Sequence, residues 1–191
     1  MILLALFTGG AVPIQLITLS FGYAQYVKGI PKGPAMMMAA HQFAAWYVPL
    51  VYLPAPIILI GITMYSKNRY PDIFRRIVVG VGIGALATVG LDFFRQMSVI
   101  YPIGFLVHFL NGANLGLFYT FVWDKQSSYG RGIFWSIIWL LIVELGMMTL
   151  PPMGPMAGLF GVQYQWPQLF LLTLAAHLAF GLVLGILPNI I

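Results

Sequence analysis

The near-absence of charge along the chain is the strongest constraint on its fold. Its 191 residues include nine Lys/Arg and four Asp/Glu, so that 7% are charged and 61% are hydrophobic. A soluble domain carries roughly a quarter of its residues as charges, because these residues cover its surface. This chain must therefore place most of its surface in lipid. We predict an all-α, polytopic integral membrane bundle, and the partner that its surface contacts is the lipid bilayer.

Charge and cysteine content exclude several classes of function. The net charge of +5 comes from basic residues that flank apolar segments, as the positive-inside rule expects of a membrane protein. No basic run carries interleaved aromatic residues, so we do not expect nucleic-acid binding. The chain has no cysteine, which excludes disulfides, iron–sulfur clusters and thiolate metal sites.

Breaks in hydropathy divide the single domain, residues 1–191, into six predicted transmembrane helices. A helix needs about 20 apolar residues to cross the hydrocarbon core of a bilayer. The predicted helices cover approximately residues 2–26, 36–65, 77–100, 104–123, 132–150 and 167–187. Pro49, Pro54 and Pro56 fall within the second helix, which we expect to be bent or broken beside a cavity or a protein contact.

The distribution of basic residues predicts the orientation in the membrane. Six predicted spans place both termini on one side, together with the polar connections 66–76 and 124–131. These two connections hold six Lys/Arg, whereas the opposite loops hold Lys28 and Lys32. The positive-inside rule then predicts that both termini are cytoplasmic.

A histidine followed by two glycines at four-residue spacing occurs in the fourth predicted helix and again in the sixth. The two copies are His108, Gly112, Gly116 and His177, Gly181, Gly185. Residues at this spacing share one side of a helix, and small residues allow close contact with a neighbouring helix. With a degenerate copy at His41 in the second helix, the pattern indicates three parallel helical-hairpin repeats.

Ionisable residues inside the predicted spans are the candidates for a functional site, because they are costly in lipid. Counted along the helices, they form an outer polar group and a pair near the midplane. The outer group is His41, Asp92, Arg95 and His108, and the midplane pair is Glu144 and His177. On this count His108 and His177 have the same helical role but lie at different depths.

Each group has a structural and a functional interpretation. Asp92 and Arg95 lie three residues apart on one helical face. In the structural interpretation their charges neutralise each other, and in the functional interpretation Asp92 orients His108 in a site. Glu144 is either protonated in its low-dielectric surroundings or paired with His177. Such a pair would suit a proton relay, and it would also serve as a structural hydrogen bond.

A metal site is a further hypothesis. His41, His108 and Asp92 could ligate copper or another metal, or two histidines could hold a haem. Eight of the ten methionines map to the outer half, and thioether with imidazole ligands favours Cu(I). Methionine is also an ordinary filler of apolar helices, so the cofactor stays open.

The half of the chain from about His108 to Pro188 resembles a broad group of small uncharacterised polytopic membrane proteins. The resemblance rests on four features besides the helix from His108 to Tyr119. They are Arg131 with Gly132, the aromatic segment Trp135 to Trp139, the sequence Pro151-Pro-Met-Gly154, and the helix from His177 to Gly185. The resemblance implies a fold and a topology and carries no activity.

Three functions are compatible with these patterns, of which the first is our main prediction and the other two are alternatives. The polar loops are too short for a soluble catalytic domain, so the first is an accessory, non-catalytic subunit of a larger membrane complex, including a metal- or redox-linked one. Its partners would be other membrane subunits or copies of itself. The second is a transporter or channel for a small solute or ion, and the third is a membrane protein with a histidine-ligated metal or haem.

Overall fold

The computed structural model describes residues 2–9, 29–30, 35, 39, 42, 46, 48–95, 102–149, 159–162 and 166–191. Within them lie α1 (Ile2–Gly9), α2 (Pro54–Arg69), α3 (Pro71–Arg95), α4 (Pro102–Val122), α5 (Tyr129–Thr149) and α6 (Gln168–Ile186). A π-helical turn, Val48–Tyr52, precedes α2, and short 3-10 turns cover Leu159–Gly161 and Leu187–Asn189. This described part is helical and contains no strand, which confirms the predicted all-α class.

Four of the described helices are long and apolar enough to cross a membrane. The segments are Pro49–Arg69, Pro71–Leu91, Tyr129–Thr149 and Gln168–Asn189. Their mean hydropathies of 1.6 to 2.3 support a membrane protein. The count of six spans stays a prediction, since the first predicted helix is described only as α1.

The predicted polar loop at residues 66–76 is wrong, because nearly all of it is helical. α2 continues to Arg69, α3 begins at Pro71, and Tyr70 alone separates them. Lys67 and Arg69 lie in the last turn of α2, where basic side chains interact favourably with the helix dipole. Pro71 occupies the first turn of α3, where its missing N–H has no helical partner to lose. Polar composition here marks helix ends rather than a loop.

The prolines of the second predicted helix coincide with a change of helix type. Pro49 lies within the π-helical turn, and Pro54 opens α2. Pro56 lines a cavity of about 190 Å³ between α2, α3 and α4. Proline removes a backbone donor from the ladder, which accounts for the change at this point.

Helices α3 to α6 surround one hydrophobic core. α3 contributes Val79, Ile83, Ala87 and Leu91, which recur every four residues and therefore share one face. The remaining buried members are Leu115, Tyr119, Trp139, Leu140, Ala176, Phe180 and Leu184. α4 meets α5 through aromatic rings, since Phe118 stacks on Trp139 with ring centroids 4.7 Å apart.

α1 and α2 pack on the outer side of the α3–α4 pair through a smaller apolar cluster. Its buried members are Ala5, Ile62, Ile77 and Leu117. The opposite face of α2 is open, with Ile57 70% and Met64 74% exposed. In a bilayer this face contacts lipid or another membrane protein.

A partly buried ionic network joins three parts of the chain at one end of the bundle. Arg75 donates to both carboxylate oxygens of Asp124, at 2.9 and 3.1 Å. Arg76 approaches the same carboxylate to 3.5 Å. Arg75 also donates to the backbone oxygen of Pro188 at 3.4 Å. The start of α3, the α4–α5 connection and the end of α6 therefore lie together, at what we call the basic end.

Candidate functional site

Glu144 of α5 meets Thr173 and His177 of α6 inside the bundle, and we call these three residues the Glu144 cluster. Glu144 and Thr173 are each 1% exposed, and His177 is 4% exposed. Nδ1 of His177 lies 2.8 Å from Oε2 of Glu144. The hydroxyl of Thr173 lies 2.7 Å from Oε1 of Glu144 and donates to it. The structure therefore brings Glu144 and His177 together, and the predicted protonation of Glu144 stays a prediction.

Nδ1 of His177 has a choice of two acceptors. It lies 2.8 Å from the backbone oxygen of Thr173 as well as 2.8 Å from Oε2 of Glu144. A neutral imidazole carries one hydrogen, whose position is assigned from the surrounding bonds. If this hydrogen points at Thr173, Oε2 is buried with no donor among the described residues. The close approach of Nδ1 to Oε2 is the same in both assignments, and only one hydrogen changes place.

Close contact between α5 and α6 positions the cluster. A Cβ on Gly185 would lie 2.7 Å from the Cα of Ile133, and a Cβ on Gly132 would meet the backbone oxygen of Gly185. A Cβ on Gly181 would lie 3.6 Å from the backbone oxygen of Ser136, which is an ordinary van der Waals contact. The glycines of the second His/Gly copy therefore bring the two backbones together, and Glu144 reaches His177 further along the same interface.

The first His/Gly copy packs in the same way against α3. A Cβ on Gly84 would lie 3.0 Å from the Cα of Gly116, and a Cβ on Gly112 would meet the side chain of Thr88. A Cβ on Gly80 would lie 2.7 Å from the Cα of Leu117. Small residues on both helices allow this approach, as the sequence pattern predicts for Gly112 and Gly116.

His108 and His177 lie at similar distances along their helices from the basic end, and their predicted difference in membrane depth stays a prediction. At the basic end, Thr120 of α4 donates to the backbone oxygen of Arg76, and Pro188 of α6 accepts from Arg75. His108 precedes Thr120 by 12 residues, and His177 precedes Pro188 by 11, which corresponds to roughly 17–18 Å along each helix.

The other predicted site residues are only partly described. His41 lies outside the described residues. The backbone of α3 places Asp92 and Arg95 in its last turn, and His108 is half-buried on α4. Among the side chains that the structure describes, no three His, Asp or Glu come together as a metal site. Copper or haem ligation by His41, His108 and Asp92 stays a prediction.

One residue of the Glu144 cluster and one residue of the basic end were missed at the sequence level. Thr173 precedes His177 by four residues, so it shares its helical face, and this spacing was the available signal. Asp124 was counted only as part of a polar loop, although it accepts from Arg75 and lies near Arg76. No local pattern predicts that contact, because its partners are about fifty residues apart.

Comparisons with protein families, with curated proteins and with solved structures gave no match. Function is therefore inferred from the geometry of the Glu144 cluster.

Proposed function

We propose that this protein is an ion transporter of the membrane whose transported or coupled ion is the proton, and that the proton is exchanged at the Glu144 cluster. The observation that carries the proposal is the buried contact of 2.8 Å between Nδ1 of His177 and Oε2 of Glu144. Carboxylate and imidazole are the two side chains most used for proton transfer, and histidine can accept a proton on one ring nitrogen and release it from the other.

The energetic cost of the cluster supports a role beyond packing. Taking a carboxylate and an imidazolium out of water costs several kcal/mol each, and well-packed apolar residues in their place are often as stable or more stable. The surrounding interface already has its close glycine contacts and an apolar core. Polar groups kept at such cost inside a membrane bundle mark ion pathways and proton relays.

The hydrogen bonds around Nδ1 also favour exchange. The Thr173 backbone oxygen belongs to the helical ladder, so it keeps a partner when the Nδ1 hydrogen turns to Glu144. When the pair takes up one further proton, that proton can sit on either atom, because imidazolium with carboxylate and imidazole with carboxylic acid are both neutral overall. Neither form then leaves a net charge in the low-dielectric interior.

Proton flux into vesicles tests the proposal. Purified protein is reconstituted into liposomes that contain a pH-sensitive dye, and a potassium gradient with valinomycin sets the membrane potential. We expect wild-type vesicles to move protons and Glu144→Gln vesicles to lose that flux. Asp72→Asn is the control, since Asp72 is an exposed acid at the basic end with a side chain 72% exposed. Equal flux from wild type and Glu144→Gln would overturn the proposal.

A second candidate, a subunit of a larger membrane complex, is favoured by the cavity beside α2. Asn114 of α4 is half-buried and contributes an amide to a lining that is otherwise apolar. Amides in lipid-facing grooves hydrogen-bond to neighbouring helices. After gentle extraction, this function predicts a particle larger than one 21.1 kDa chain. Asn114→Leu should reduce it to the single chain, whereas Asn68→Leu, at an exposed position, should not. A single-chain wild type would contradict it.

The orientation remains a proposal of the same kind. The basic end carries Arg75, Arg76 and Arg131, and Ala5 packs near it, as does Pro188. The positive-inside rule then supports cytoplasmic termini. Labelling of engineered cysteines near both termini with an impermeant reagent tests this orientation. We expect labelling in inside-out vesicles, and labelling in right-side-out vesicles alone would reverse the orientation.

A further inference from the structure

The contacts between α3 and α4 fix an antiparallel register in steps of four residues. Gly80 lies against Thr120, Gly84 against Gly116, and Thr88 against Gly112. Each step forward on α3 is matched by an equal step back on α4. One further step of four residues reaches Asp92 on α3 and His108 on α4, which belong to the same two stripes.

The α5–α6 pair has the same register, and there the corresponding step is described in full. Gly185 lies between Gly132 and Ser136, as Gly116 lies between Gly80 and Gly84. Two steps further, His177 meets Glu144. The stripes are Gly80, Gly84, Thr88, Asp92 on α3 and Gly132, Ser136, Leu140, Glu144 on α5, with an acid at the fourth position of both.

We propose that Asp92 and His108 form a second carboxylate–imidazole pair, the counterpart of Glu144 and His177 in the other helical hairpin. The proposal rests on register, on residue type and on the described counterpart. The α3–α4 and α5–α6 hairpins would then be alike in residue type as well as in register. Each would contribute one acid from its first helix and one histidine from its second.

Depth supports the equivalence. A Cβ on Gly90 of α3 would lie 4.0 Å from the Cβ of Ala179 of α6. Gly90 is two residues from Asp92, and Ala179 is two residues from His177 in the opposite direction along an antiparallel pair. Asp92 is therefore level with His177 as well as with His108. α3 runs between the two histidine-bearing helices and carries an acid at their level.

Within the described ranges, the ionisable residues near this level lie on α3 to α6. α3 brings Asp92 and, three residues on, Arg95. α4 brings His108, and the Glu144–His177 pair approaches from α5 and α6. A role for the second pair in proton movement rests on the proposed function, whereas the pairing itself does not. The two pairs would then provide two proton-binding sites at the same level of the bundle.

Solid-state NMR of the protein in bilayers tests the pairing directly. The chain has three histidines, and its aspartates are Asp72, Asp92 and Asp124. With ¹⁵N in histidine and ¹³C in the aspartate carboxyls, we expect a correlation between a histidine ring nitrogen and an aspartate carboxyl carbon. Asp92→Asn and His108→Gln should each abolish it, whereas Asp72→Asn and His177→Gln should retain it.

The outcomes separate this pairing from the function. No Asp–His correlation in the wild-type protein, or one that survives Asp92→Asn or His108→Gln, overturns the second pair. The ¹³C-glutamate to ¹⁵N-histidine correlation of Glu144 and His177 reports in each Asp92 or His108 variant that the bundle is folded. Loss of proton flux by Glu144→Gln leaves the second pair untouched, and absence of flux in the wild type leaves the correlation standing.

Discussion

Two glycines on the same helix give a sharp test of the close approach between α3 and α4. Gly84 faces α4, and a Cβ added there would lie 2.9 Å from the carbonyl carbon of Gly112 and 3.0 Å from the Cα of Gly116. Gly82, half a turn away, has nothing within 4 Å of its added Cβ. Gly84→Ala and Gly82→Ala therefore make the same chemical change in opposite surroundings.

The magnitude follows from the contacts. Carbon atoms pack at about 3.5–4.0 Å, so Gly84→Ala requires a separation of the two backbones by roughly 1 Å at this point. Neither neighbour is a flexible side chain that can turn aside. Overpacking of this kind costs about 1–3 kcal/mol. The gain in helix propensity from glycine to alanine, up to about 1 kcal/mol, is common to both variants and cancels in their difference.

Reversible unfolding in mixed micelles, followed by tryptophan fluorescence while the denaturing detergent is increased, measures this difference. We expect Gly82→Ala to be as stable as wild type or more stable, and Gly84→Ala to be less stable than Gly82→Ala by about 1–3 kcal/mol. In the second hairpin, Gly185→Ala and Gly146→Ala repeat the comparison, since an added Cβ meets Ile133 at Gly185 and nothing at Gly146. Equal stability within each matched pair would refute the close packing.

Two further predictions concern the contacts that hold the basic end together. Tyr119→Phe removes the buried hydrogen bond of 3.0 Å to the backbone oxygen of Gly132, and we expect a loss of about 1 kcal/mol in the same unfolding assay; an unchanged midpoint would contradict that bond. Asp124→Asn removes the charge that neutralises Arg75 and Arg76, and the partly buried network predicts a loss of roughly 1–2 kcal/mol. This loss should shrink at high salt, because screening weakens the wild-type network, and a salt-independent loss would contradict its ionic origin.

Sequence patterns predicted the parts of the fold that depend on local spacing. The near-absence of charge indicated the membrane, and the glycine spacing after His108 and His177 indicated close helix contacts, which the added-Cβ distances show at Gly116 and Gly185. These features follow from residue type and helical period alone. They need no knowledge of which helices are neighbours.

The remaining features depend on register, which the sequence does not state. Glu144 had two possible states, and only the packing of α5 on α6 brings it to His177. Composition also placed the start of α3 six residues too late. Asp124 contacts Arg75 and Arg76 at the basic end. Its backbone is left-handed, with φ of 47°, in the turn that follows α4. Polar residues near helix ends resemble loops in composition, and this produced the wrong loop at 66–76.

The Glu144 cluster is the feature of the described bundle on which the proposed function rests. Its carboxyl group and imidazole lie 2.8 Å apart, within reach of proton transfer, in an interface closed by glycine contacts. The second pair that we propose in the α3–α4 hairpin follows from the same helix register. On the proposed function, proton transport connects the repeated His/Gly helices to one chemistry.

The contact between Glu144 and His177 in the membrane gives the most direct test of the proposed proton exchange. Glu144 is the sole glutamate of the sequence, so ¹³C labelling of glutamate gives a single carboxyl resonance. We predict that this carboxyl carbon correlates with a ring nitrogen of His177 in bilayers, because the two groups lie 2.8 Å apart, and that His177→Gln removes the correlation and moves the resonance. A carboxyl resonance with no correlation to a histidine ring nitrogen, and unmoved by His177→Gln, would contradict proton exchange at the cluster.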